Sequence, residues 1–162
     1  MRPLLHADLE RLTEIWTDPE VARLLLTRPR DRAEVEERLL AMIEHARLWG
    51  LWALELRATG ALIGRCGFYP YRGEGARPPL PEPELAYFVA REQWGLGLAS
   101  EAARAALDAL FGSHSCERSL ALVHPENAAS RRVLEKVGMR AIGPVSVAGA
   151  TAMLHATQRS PR

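Results

Sequence analysis

The sequence predicts an α+β fold: one mixed sheet flanked by helices. Helix-period stretches open the chain, a strand meander follows, and the second half runs strand, helix, strand, helix before a last strand pair. The 162 residues fit one domain spanning 1–162, long enough to bury a core without disulfides.

The first helix is predicted over Ala7 to Trp16. Leu9, Leu12, Ile15 and Trp16 share one face, with Asp8 as a candidate cap. Asp18-Pro19-Glu20-Val21 restarts a helical turn, with Asp18 at the N-cap and Pro19 at the first position. Asp31 to Leu48 is a longer helix. Asp31 caps it, Glu34 completes a capping-box spacing, and Val35, Leu39, Met42, Ile43 and Ala46 form its stripe. Gly50 ends it.

Leu51–Arg57 and Ala61–Tyr69 read as strands joined through Ala58-Thr59-Gly60, a hairpin. Pro70 to Pro83 is proline-rich and reads as a loop bordering a site. Glu84 to Ala90 is a strand, Ala99 to Phe111 a helix with core positions Ala102, Ala105, Ala106 and Leu110, and Arg118 to His124 a strand. Asn127 to Val137 is a helix closed by Gly138. Met139–Ile142 and Val145–Ala156 close the chain as a strand pair turning at Ala148-Gly149.

Composition narrows the function. Hydrophobic residues make 48%, charged residues 25%, and the net charge is +1, so no strong field recruits nucleic acid or an anionic membrane. Lys136 is the only lysine, and the arginines are spread along the chain rather than clustered. Cys66 and Cys116 lack metal-ligand spacing and read as small buried or half-buried hydrophobes; no metal is expected. The chain shows no membrane-length apolar run and no signal-peptide pattern, which makes the cytoplasm the default expectation.

Trp94-Gly95-Leu96-Gly97-Leu98-Ala99-Ser100-Glu101 follows a strand and opens a helix. Its glycines let the backbone curl close to a ligand, and a helix N-terminus presents free N–H groups. A pyrophosphate suits that geometry, although a purely structural turn has the same look. A P-loop would need Gly-Lys-Ser/Thr, but Leu98 follows Gly97. A Rossmann fingerprint would sit on the first strand of a parallel series, whereas this loop follows a meander.

Three segments together resemble the GCN5-related N-acetyltransferases (GNAT), in their RimJ/RimL-type branch. Glu84-Leu85-Ala86-Tyr87-Phe88-Val89 looks like the branch's Glu-Ile-Gly-Tyr strand, and Trp94 to Ala102 like its Trp-Gly-x-Gly-x-Ala-x-Glu-Ala loop. Asn127 to Met139 is similar to its Asn-x-x-Ser-x-x-Val-Leu-Glu-Lys-x-Gly helix, and Asp18-Pro19-Glu20-Val21 to a weaker N-terminal signature. Trp94 stands where the broader family has Gln or Arg, Ala86 replaces a glycine, and Met1 begins so close to the first-strand motif that this strand is expected to be truncated.

The resemblance implies an acetyl-CoA-dependent acetyl transfer to an amine, and a splay between the 84–90 and 118–124 strands that admits the cofactor. Tyr87, Phe88, Val89 and Ala90 would offer backbone groups to the pantetheine arm. Trp94, Gly95, Leu96, Gly97, Leu98, Ala99 and Ser100 would form the pyrophosphate loop, and Asn127 and Ser130 would lie near the thioester. For catalysis Glu84 is the candidate base, with a solvated rim carboxylate as its plain alternative and His124 as its rival. Ser130 is the candidate acid, with a local capping role as its alternative and Tyr87 and Tyr69 as rivals. The partners would be acetyl-CoA and an amine: a protein N-terminus, a polyamine or an aminoglycoside. No nucleic acid or membrane partner is expected, and a homodimer is a possible assembly. A CoA-binding module without catalysis remains the other class. An acidic pocket beside the Pro70–Pro83 loop, with Glu74, Glu82 and Glu84, would favour polycations; Arg72 and Arg77 offset it.

Overall fold

Arg2–Pro3 forms a two-residue edge strand, β1, so the short first strand exists in reduced form. It pairs antiparallel with β2 (Leu51–Glu55). Arg2 fastens it through ion pairs of 2.6 Å to both Asp8 and Glu55. The computed structural model describes residues 1–71, 82–113, 116–147 and 149–159. The expected proline-rich loop falls mostly outside these residues, as does Ala148 of the last turn.

A single 3-10 turn, His6–Asp8, leads into α1 (Leu9–Thr17). Asp8 stands at its N-cap position but does not cap it; the carboxylate instead accepts from the Leu5 amide and pairs with Arg2. Asp18 caps the one-turn α2 (Pro19–Ala22), accepting from Glu20 N at 2.8 Å. Asp31 caps α3 (Arg32–Trp49) through the Glu34 amide at 2.9 Å. Glu34 reaches back to the amide of Arg30 rather than to its cap residue, so the capping box is displaced by one residue.

β3 (Leu62–Pro70) and β4 (Pro83–Val89) continue the meander. After α4 (Leu98–Ser113) comes β5 (Arg118–Val123), parallel to β4; α5 (Ala128–Lys136) then leads to the hairpin β6 (Arg140–Val147) and β7 (Ala150–Gln158). The sheet order is β1-β2-β3-β4-β5-β7-β6, mixed and mostly antiparallel. The segments expected as 139–142 and 145–156 are divided differently: 140–147 is one strand, with a bulge between Ala141 and Gly143 that absorbs the Gly143-Pro144 interruption.

Side-chain alternation builds two cores on opposite faces of the sheet. Leu12, Ile15, Trp16, Val35, Leu39 and Met42 of α1 and α3 pack on Leu51, Ala53 and Phe88. Ala103, Ala106, Leu110 and Leu134 of α4 and α5 pack on Cys66, Phe68, Leu85 and Val89. Ala105, expected in the core stripe, is exposed; the stripe runs through Ala102, Ala103, Ala106, Leu107 and Leu110 instead. Each fully buried leucine here contributes roughly 1.5–3 kcal/mol through water exclusion alone.

Candidate active site

The sheet opens where β4 meets β5. The two run parallel, yet a single register pair, Glu84 with Leu120, holds them together. On its other side β4 is fully zipped to β3, and the Ala90 amide donates to the Ile63 carbonyl at 2.7 Å. Backbone bonds alternate along an antiparallel strand. The even residues of β4 therefore spend their backbone groups on β3, and Leu85, Tyr87 and Val89 turn theirs toward the gap. The Val89 carbonyl accepts from the Trp94 indole at 2.8 Å. The single pair with Leu120 falls at the Leu85 end, so Tyr87 is left at the strand edge that faces the gap, a template for an extended amide-bearing chain. The Phe88 and Ala90 backbones point away from that gap, and the Phe88 ring packs on Trp16.

The loop after β4 is shaped by two left-handed glycines. Gly95 and Gly97 both have φ +80°, and a Cβ built on either would meet no atom within 4 Å, so the space over the loop is open. Ser100 and Glu101 donate to the Gly97 carbonyl at 3.0 Å, which closes the first turn of α4. Among the described residues, the amides of Leu96, Gly97, Leu98 and Ala99 have no partner. They form the free donor set expected at a helix N-terminus that holds an anion. The Ser100 amide is internal to the turn and leaves that set.

Two clefts converge on this edge. One, of about 310 Å³, runs from the glycine loop along α5 past Arg132, Val133 and Lys136. The other, of about 450 Å³, opens on the α1–α3 face beside Arg38, His45, Arg65, Tyr69, Glu84 and His124. Tyr87, Asn127 and Ser130 line both, together with Leu24 and Leu25. Asn127 Oδ1 caps α5 by accepting from the Ser130 amide at 2.9 Å. The Ser130 hydroxyl is thereby free for other work, and it lies 2.9 Å from the Tyr87 hydroxyl.

The acetyltransferase (GNAT) domain family matches residues 1–140 of the chain. The chain belongs to the GNAT acetyltransferases. As a GNAT it is an acetyl-CoA-dependent N-acetyltransferase. Among curated relatives, the uncharacterised N-acetyltransferase p20 of Bacillus licheniformis is 30% identical over 146 residues, which are 88% of this chain and 79% of p20. YkkB of Bacillus subtilis is 43% identical over 89 residues, 55% of this chain and about half (49%) of YkkB's own length. Two solved structures share the GNAT fold. The aminoglycoside acetyltransferase AAC(6')-Ib with paromomycin and acetyl-CoA has a TM-score of 0.76 at 21% identity, covering 98% of this chain and 92% of that one. The ribosomal-protein-S5-alanine acetyltransferase of Vibrio fischeri has a TM-score of 0.75 at 18% identity, covering 97% and 91%.

Acetyl-CoA, the donor with which such homologues were crystallised, fits the features of this GNAT site: open glycines, unpaired amides, a free strand edge and two cations of α5. Leu96 is the exception among the predicted loop side chains. It points outward, 66% exposed, so its amide is its useful group.

Glu84 lies on the α1–α3 face of β4, opposite to Tyr87. Burial pushes its carboxyl up to about 7, against a smaller lowering by Arg65. Burial also holds the Tyr87 phenol above its ordinary range, so it stays protonated. Tyr69, half-buried in the α1–α3 cleft, is shifted the same way for the same reason. His124 lines that cleft, and its Nδ1 accepts from the Glu126 amide at 3.3 Å.

Sequence reasoning missed Arg65, Leu24, Leu25, Arg132 and Lys136. For the last two a signal existed: Ala129, Arg132, Val133 and Lys136 share one helical face, and all four line the cleft beside the glycine loop. Among the described residues no helix is long and apolar enough to cross a membrane, and no His/Cys/Asp/Glu group could hold a metal.

Proposed function

We propose that the chain moves an acetyl group from acetyl-CoA directly to a primary amine, with both substrates bound at once. The supporting observation is the meeting of two clefts at Tyr87, Asn127 and Ser130. Acetyl-CoA supplies an activated thioester carbonyl; the chain supplies position and proton transfer. The Leu96–Ala99 amides, with Arg132 and Lys136, hold the phosphates, and the Tyr87–Val89 edge of β4 orients the arm so that the thioester reaches Tyr87.

Glu84 takes the amine proton through a water, and its pKa near neutrality suits a base that must accept and release a proton at pH 7. The amine nitrogen then bonds to the carbonyl carbon and the C–S bond breaks. The sulfur receives the Tyr87 hydroxyl proton, and the Ser130 hydroxyl, in hydrogen-bond contact, relays its replacement. Tyr87 is thus the direct donor and Ser130 its partner.

A covalent acetyl-cysteine is disfavoured by the same physics. Cys66 is sealed in the core, where burial pushes its thiol up to about 12, and burial raises Cys116 as well. Intact-protein mass spectrometry after mixing with acetyl-CoA alone should show no acetylated enzyme. A protein carrying one acetyl group on cysteine at catalytic rates would overturn direct transfer.

A further inference from the structure

The second cleft is lined by Arg38, Arg65 and one carboxylate, Glu84, and among the described residues Arg65 and Glu84 form no ion pair. Arg38 is paired with Glu34 at 2.5 Å and stacks over Trp16. Glu84 is the single carboxylate among the described residues lining the cleft, beside the imidazoles of His45 and His124.

Arg65 is only 7% exposed and has no ion-pair partner among the described residues. Its guanidinium carbon lies 4.9 Å from the Phe88 ring centroid, 5.0 Å from Tyr69 and 5.5 Å from Trp16. Nη1 donates to the Ala86 carbonyl at a long 3.3 Å, and the buried Nε has no acceptor among the described residues. A buried cation is ordinarily compensated by an anion and by hydrogen bonds to its donors. Three rings surround this guanidinium, and among the described residues its in-plane fork makes only the long bond to the Ala86 carbonyl. That fork matches the two oxygens of a carboxylate.

We propose that Arg65 is an anion receptor, and that the amine acetylated here also carries one carboxylate. Assigning the cleft to the acceptor rests on the acetyl-transfer reading above. The Arg65 fork would hold the carboxylate, Glu84 would face the amine, and the apolar walls at Leu24, Leu25 and Tyr69 would take the body of the molecule. A polycation would instead meet Arg65 with like charge, which selects against it.

The test uses the wild-type protein saturated with coenzyme A, titrated calorimetrically with N-acetylglycine, N-acetylleucine and N-acetylphenylalanine, each against its own carboxamide. The members of each pair differ in one negative charge and need no turnover. The expected result is that at least one acid binds about tenfold or more tighter than its amide. In Arg65→Met that preference should vanish, and in Arg65→Lys part of it should survive; unchanged coenzyme A affinity shows that each variant is folded. If Arg65→Met does not fold, the wild-type pairs and Arg65→Lys decide. Equal affinities in wild type, no binding of any acid, a preference that survives Arg65→Met, or tighter binding of spermidine than of any acid would overturn the proposal. An intact acid preference in a protein that never releases thiol would overturn the transfer reading and leave the receptor standing.

Discussion

Replacing Glu84 by glutamine should make the protein slower and, above neutral pH, more stable. The carboxyl titrates at 4.5 when exposed and at about 7 in the folded chain, because burial disfavours its charged form. Between those values the native state keeps a proton that the unfolded chain has lost, so stability falls as pH rises from 4.5 to 7 and stays lowered above that. The difference of 2.5 units corresponds to at most about 3.4 kcal/mol, and solvent access to the half-buried group reduces this to about 1–3 kcal/mol. Glutamine carries no such penalty. At pH 8 the variant should therefore melt about 2–12 °C higher than wild type, and the gap should close below pH 4.5. Kinetically, the wild-type kcat/KM should rise with pH through a midpoint near 7. The variant should lose that limb and fall by about 100-fold or more. Paired thermal melts and rate profiles across pH 4–9 check both. A variant less stable than wild type at pH 8, or a gap that does not change with pH, would refute a desolvated carboxylate. A wild-type rate would remove Glu84 from catalysis.

Gly97→Asp puts a carboxylate and a Cβ at a φ of +80° beneath the free amides, and should weaken acetyl-CoA binding about 100-fold or more by calorimetry. Tyr87→Phe removes the direct proton donor and should lower kcat about 10- to 100-fold with little change in acetyl-CoA affinity; Ser130→Ala should lower it less. If Ser130→Ala proves the more damaging in single-turnover assays, the two roles are reversed. Asn127→Ala leaves the Ser130 amide uncapped and should cost about 1 kcal/mol, a loss of about 2–4 °C in Tm.

The donor side of this enzyme was far more legible in the sequence than the acceptor side. Gly95, Gly97, Asn127 and Ser130 act through local geometry: a left-handed turn, a helix start, a cap. Such features are written in consecutive residues. Asp18 and Asp31 were legible as caps for the same reason. Asp8 failed because a partner brought in by the sheet, Arg2, outbid the local helix for its carboxylate. Ala105 failed because alanine sits on either face of a helix, so the stripe was ambiguous by one position. The break at Gly143-Pro144 hid a bulged but continuous strand.

Arg65 poses a different problem. Its meaning depends on strands adjacent in space and on rings from α1 and β4, and no periodicity announces a buried guanidinium without an ion pair among the described residues. The proposal for Tyr87 likewise needed the fold. The sequence offers it as one of two rival acids, and α5 places the Ser130 hydroxyl 2.9 Å from its own.

The most direct test of the account is thiol release from acetyl-CoA, followed with and without an amine. The amines should include peptides with free N-termini, polyamines, aminoglycosides and amino acids. The account predicts negligible release without an amine, and release matched one for one by acetylated amine with at least one member of the panel. Tight acetyl-CoA binding with no amine-dependent thiol from any of them would contradict catalysis at the Tyr87–Ser130 junction.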